Sequence, residues 1–324
     1  MGVWLVSTDT LAQSRFVFSA LCETVASVIA LERGDAAYPG ERGWLDAHRP
    51  AYLSRLDGDP VTALLVRSML RTGWIADFVS PAPPGEGEPS FAEELTRVRE
   101  TPPALARTDL EVALAGPLPA RLHRDDLPER AACLLEWVWD EAVRPYWARH
   151  RRIFEADVLA RTRQLSQAGW AAALGDMRAG MRWLGDGRLQ INVQDRPPRD
   201  ISGGRLLFVP VTRRRGWVTW EEPHRYAVVY PCSGVMAEPG RSPAPEALGR
   251  LLGPARAGVL VLLESPKSTS QLVALTGQGL GSVGRHLKVL LDAQLIRRRR
   301  TGRSVLYYRT DAGDVLVAAV TNPR

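Results

Sequence analysis

Apolar residues recur along most of the chain at the three- and four-residue spacing of amphipathic helices. Near Gly185 that period gives way to short β-branched and aromatic runs. Val3 to Val6 reads as an edge strand. Beyond it, Thr8 or Asp9 caps a long helix from about Thr10 to Glu32. Its Phe18, Leu21, Cys22, Val25, Val28 and Ile29 share one face, and Gly34 ends it. Further helical segments cover Trp44 to Leu56 and Pro60 to Arg71, and Pro81 to Pro89 is a loop by composition. Ser90 with Glu93 makes a capping box that opens a helix from Phe91 to Glu100, each side chain satisfying the other residue's amide. Leu127 to about Gln167 is helical again, with Pro145, which has no N–H to donate, as a kink or break.

Arg188 to Val193, Leu206 to Val211, Trp217 to Trp220 and Tyr226 to Tyr230 are bounded by Gly and Pro and read as strands of one small sheet. The fold class is therefore α+β. Residues 1–237 form a mostly helical domain with a small sheet, 238–245 a Pro-, Gly- and Ser-bearing linker, and 246–324 a second domain. In the second domain, helices are expected over Pro245 to Leu252, Pro254 to Leu263 and from Ser268 or Thr269 to Thr276, the last ended by Gly277. A fourth starts near Gly279 with Leu280, Val283, Leu287, Leu290 and Leu291 on one face. Ile296 to Arg300, a turn at Thr301-Gly302, and Arg303 to Arg309 make a hairpin, and a helix from Asp311 to Val320 follows. Helix, short glycine turn, helix and basic hairpin is the plan of a winged helix-turn-helix.

Charge sharpens this picture. The chain of 324 residues has a formal net charge of +6. Residues 246–324 hold 12 basic and 5 acidic side chains, a net of +7, against 30 basic and 31 acidic in residues 1–245, a net of −1. The surplus thus sits at one end, as in a polyanion-binding module. Genome bias toward Arg accounts for Arg over Lys but not for the clustering. Cys22, Cys133 and Cys232 are scattered and unpaired in sequence, which fits a reducing cytoplasm. The N-terminal apolar run has no basic flank, so neither a signal peptide nor a membrane partner is expected.

With its apolar face inward, the helix from Gly279 presents Ser282, Arg285, His286 and Lys288 outward, residue types with partners on base edges and phosphates. The candidate contacts to double-stranded DNA are these four, Thr269 and Gln271 on the preceding helix, and Arg298, Arg300 and Arg303 of the hairpin. Residues 246–320 resemble the winged helix of ArsR-type bacterial transcriptional regulators. The resemblance is carried by Val283-Gly-Arg-His-Leu287, by Leu290-Leu-Asp-Ala-Gln-Leu-Ile296 and by Thr301-Gly-Arg-Ser-Val-Leu-Tyr-Tyr308. Residues 1–237 also resemble an uncharacterised domain found ahead of such winged helices, most visibly at Phe91-Ala-Glu-Glu-Leu95 and Thr101-Pro-Pro103. The resemblance implies a homodimer that binds a pseudo-palindromic operator and generally represses. Where the family has Ser, this sequence has Gly284. With Gly281, it costs helix propensity, so the helix either frays until DNA orders it or lets a phosphate approach its backbone.

Other signals carry less. Gly279-Leu-Gly-Ser-Val-Gly284 has the spacing of a dinucleotide fingerprint but follows a helix, with Ser304 where an acidic residue is needed. No cofactor is expected. The C-terminal domain has no Cys and one His, too few ligands for a metal sensor, and Asp311 and Asp314 read as helix caps. All ten Trp precede residue 246. Trp137, Trp139, Trp147, Trp170 and Trp183 read either as a pocket for an apolar or cationic effector or as core and interface filler. Glu221-Glu222 beside His224 is a surface loop, and no catalytic spacing marks residues 1–245, so no enzyme is expected. The competing reading makes residues 1–237 an enzyme or protein-interaction domain tethered to DNA by the winged helix.

Overall fold

The computed structural model describes residues 2–36, 39–175, 177–193, 196–232, 245–264, 266–301 and 304–321. Contacts divide the chain into two units, one of residues 1–37, 41–148 and 174–231, the other of 38–40, 149–173 and 232–324. Residues 149–173, counted with the N-terminal domain on sequence, thus group with the C-terminal part. The linker stretch 238–244 lies outside the described residues.

The first unit opens with β1 (Val3–Leu5), α1 (Thr8–Ala12), β2 (Arg15–Phe16) and α2 (Ala20–Arg33). The one helix expected over 10–32 is therefore two. Ser7 caps α1 and Ser19 caps α2, each hydroxyl accepting the amide three residues on. Gly34, at φ 69°, closes α2 as expected. Every residue of α2 from Ala20 to Leu31 is buried, so its polar side chains need partners. Glu23 accepts from the amide and hydroxyl of Thr212. Glu94 accepts from the Ser19 hydroxyl at 2.6 Å and the Leu21 amide at 3.0 Å.

Helices α3 (Pro39–Asp57), α4 (Pro60–Met69), α5 (Phe91–Arg99), α6 (Pro103–Leu114) and α7 (Leu127–Val138) follow. The Ser90–Glu93 capping box is formed. Helix α6 is an addition to the sequence reading. Pro103 occupies its first turn, where a missing N–H costs nothing. After α7 a π turn at Trp139–Val143 and a 3-10 turn at Arg144–Tyr146, containing Pro145, break the helix before α8 (Trp147–Leu174). The tryptophans here sit on the core. Trp139 stacks on Phe91 at 4.6 Å and meets Trp147 edge-on at 5.4 Å, and both pack against the main cluster with Trp137.

Two sheets stand where one was expected. The first runs β3 (Arg182–Gly185), β4 (Arg188–Gln190), β1, β5 (Arg199–Asp200). The second runs β2, β6 (Arg205–Val211), β8 (Arg225–Pro231), β7 (Trp217–Glu221). Strand β1 is not an edge, because it pairs antiparallel with β4 and parallel with β5, and Trp4 is 1% exposed. Its partners lie nearly two hundred residues away, beyond the reach of local pattern. Strands β6 and β8 pair in parallel along seven positions and are buried almost throughout, as parallel strands covered on both faces are.

In the second unit residues 149–173 of α8 contribute Ala156 to the core, and Gly169, at φ 72°, interrupts the helix. The remaining elements are α9 (Glu246–Leu252), α10 (Pro254–Leu262), β9 (Lys267–Ser268), α11 (Thr269–Thr276), α12 (Leu280–Asp292), β10 (Ile296–Thr301), β11 (Ser304–Arg309) and α13 (Asp311–Thr321). Val259, Leu260, Leu272, Val273, Val283, Leu287, Leu290 and Ile296 form the core. The sheet order is β10-β11-β9, which leaves β10 at an edge.

Candidate nucleic-acid interface

Helix α11 begins with a second capping box. The Ser268 hydroxyl accepts the Gln271 amide at 3.2 Å, and the Gln271 side-chain oxygen accepts the Ser268 amide at 2.7 Å. Gln271, a candidate base contact on sequence, thus has its carbonyl committed to the helix start. Thr269, the first residue of α11, is half-buried. Gly277 ends α11 in the left-handed region at φ 67°, and Gly279 leads into α12 without a side-chain cap.

Helix α12 is strongly two-sided. Val283, Leu287 and Leu290 are buried, while Arg285 and Lys288 are exposed and Ser282 and His286 are half-buried on the remaining surface. Val289, 43% exposed, lies seven residues after Ser282 and four after Arg285, so it extends their stripe. It offers an apolar contact that the polar candidates alone omit. His286 is held below its ordinary range, first by burial and then by the charges of Arg256 and Arg285. Its imidazole is therefore neutral near pH 7. Arg256, on α10, carries no sequence signal of its own, since a single Arg within an apolar helix has no pattern to stand out from. Only the tertiary fold brings its charge beside α12.

The helix runs through Gly281 and Gly284, and a Cβ at either would meet nothing within 4 Å. Neither glycine has a positive φ. Both sites are thus open surface, with no packing reason inside the unit for the missing methyl.

The register pairs Ile296 with Arg309, Arg298 with Tyr307, and Arg300 with Val305. Directly paired residues share a face. Arg298 and Arg300 therefore lie on the face of Ile296 and Tyr307, which pack on the core, and Arg297 and Arg299 on the other. All four are exposed. Among the described residues no carboxylate lies within ion-pair distance of Arg285, Lys288 or Arg297 to Arg300. Elsewhere in this region Arg250 pairs with Glu246 and Arg309 with Asp314. Arg303, the remaining candidate, lies outside the described residues, as does Gly302 of the expected turn.

No protein-family model, curated protein or solved structure matches the chain. Among the described residues no group of three or more His, Cys, Asp or Glu side chains is placed to hold a metal ion, and no helix is long and apolar enough to cross a membrane.

Proposed function

We propose that the chain is a sequence-specific DNA-binding transcriptional regulator of the ArsR type, a homodimeric repressor whose residues 1–237 sense a non-metal effector. In this reading α11, α12 and the β10–β11 hairpin form a winged helix-turn-helix, α12 enters the major groove, and the hairpin follows the backbone. The observation that carries it is a set of uncompensated cations on adjoining elements, Arg285 and Lys288 on α12 and Arg297 to Arg300 on β10. Exposed cations without carboxylate neighbours keep their field for a polyanion. The resemblance of residues 246–320 supplies the homodimer and the sign of regulation. Half-sites addressed by two copies of α12 would lie about 34–36 Å apart.

The test is selection of bound duplexes from a random pool by the full chain, followed by titration of the best duplex and a scrambled one. An inverted repeat bound at least about 10³-fold tighter than the scrambled duplex supports the reading. Equal affinity for both reduces it to nonspecific polyanion binding, and no binding at low salt refutes it.

A further inference from the structure

We propose that a cavity of about 500 Å³ in the first unit is the sensing site, and that it takes a flat organic anion, an aromatic carboxylate or its like. The assignment to sensing rests on the regulator reading above; the ligand chemistry rests on the cavity alone. Its wall combines Trp4, Trp74, Trp217 and Trp220 with Arg178, Arg196, Arg199 and Arg215, and its volume falls in the range of small-molecule sites.

The indoles and guanidiniums are interleaved. The Arg196 guanidinium lies over the Trp74 ring at 4.6 Å, and that of Arg199 over Trp220 at 4.3 Å. Trp74 and Trp220 meet edge-on at 5.6 Å. The wall is thus two cation-on-indole pairs joined through their rings, which offers flat apolar surface and positive charge together. The sequence names a different set, Trp137, Trp139, Trp147, Trp170 and Trp183, as either a pocket for an apolar or cationic effector or core and interface filler. In this cavity the four arginines favour an anion instead.

Charge balance points the same way. Arg199 is paired with Glu222. Among the described residues Arg178, Arg196 and Arg215 have no carboxylate within ion-pair distance. Arg178 donates to the Ile191 carbonyl at 2.9 Å, and Arg215 to the carbonyls of Arg71 and Thr72 at 2.7 and 2.6 Å. Burial, followed by the charge of Arg215, lowers the Arg178 guanidinium to about 10. Half-buried cations that repel each other are costly unless an anion joins them, and guanidinium binds carboxylate in a two-pronged geometry. The acidic side chain in the wall, Asp77, is pushed up to about 7 by burial and by Asp109, so it cancels only part of this charge near neutrality. The buried indole N–H of Trp74 has no hydrogen-bond partner, a donor left open for an acceptor atom.

The test uses the full chain and an isosteric series, 2-naphthoate, 2-naphthamide and 2-naphthylmethylammonium, followed by calorimetry. Naphthoate should bind once per chain, at least about tenfold tighter than the amide, and the ammonium more weakly still. Arg196→Gln, at an exposed position, and Arg178→Gln should each weaken naphthoate about tenfold, the loss of one charged hydrogen bond. Equal binding of acid and amide, stronger binding of the ammonium, unchanged affinity in both variants, or no saturable binding overturns the site. Naphthoate should also change affinity for the selected duplex. Binding that leaves that affinity unchanged overturns the sensing role. A chain that binds naphthoate but no DNA overturns the regulator reading and leaves the anion site standing.

Discussion

Replacing Gly284 with Ala should move stability and DNA affinity in opposite directions. Gly284 lies in the interior of α12, its φ is compatible with any residue, and a new methyl meets nothing within 4 Å. The substitution therefore adds helix propensity without a clash, about 1 kcal/mol, partly by reducing the freedom of the unfolded chain. Gly281, in the first turn, should yield less. A gain of about 1 kcal/mol slows amide exchange through local opening about fivefold, so the Val283 to Leu291 amides report it directly. If a phosphate approaches the bare backbone, the methyl should hold it away and weaken binding of the selected duplex by about 1.4 kcal/mol, or about tenfold in Kd. If the glycines only leave the helix frayed, the same variant binds DNA more tightly, by up to the same fivefold. Slower exchange with tighter binding would refute the close-approach argument, and unchanged exchange would refute the propensity estimate.

Arg298→Ala with Arg300→Ala removes two cations from one face of β10. It should flatten the slope of log affinity against log salt by about 1.8, so that the penalty shrinks about twelvefold between 50 and 200 mM salt. An unchanged slope means that this face does not meet phosphate. Gly313→Ala places a methyl 2.2 Å from the Leu295 carbonyl oxygen. It should destabilise the C-terminal unit by about 1–3 kcal/mol, read as faster limited proteolysis there. Glu94 is pushed up to about 7, chiefly by burial. The native state thus holds its proton more tightly than the unfolded chain, and this contribution, full below about pH 4.5, is lost as pH rises through 7. Thermal stability should fall between pH 5 and 8, and Glu94→Gln should flatten that dependence; the same slope in both proteins would place its origin elsewhere.

What the sequence made legible was local. The capping box at Ser90–Glu93 and the glycine stops at Gly34 and Gly277 are set by residues within one turn, and each is formed. The break around Pro145 followed from one missing donor. The misreadings concern long-range partners. The stretch 10–32 has unbroken helical spacing, but the extended residues between α1 and α2 form β2, whose partner β6 is almost two hundred residues away. Strand β1 looked like an edge for the same reason. Of the tryptophans named on sequence, Trp137, Trp139 and Trp147 pack against the core, whereas the cavity draws Trp4, Trp74, Trp217 and Trp220 from separate segments. In the C-terminal unit the exposed face of α12 was closer to legible, because it follows from helical period alone. Gln271 is the instructive exception, since Ser-x-x-Gln reads on sequence as a cap or as a groove contact, and here it forms the cap.

The edge position of β10 has a consequence for the lifetime of the protein in solution. A strand with one open side offers unpaired amides and carbonyls to any other extended chain, a template for intermolecular pairing. Here that side is guarded by four consecutive exposed arginines, whose mutual repulsion opposes a second copy aligning on it. Neutralising the row would therefore remove a gatekeeper against aggregation. A variant lacking all four should show rising light scattering at concentrations where the native chain stays clear, and a short duplex should suppress association of the native chain no further.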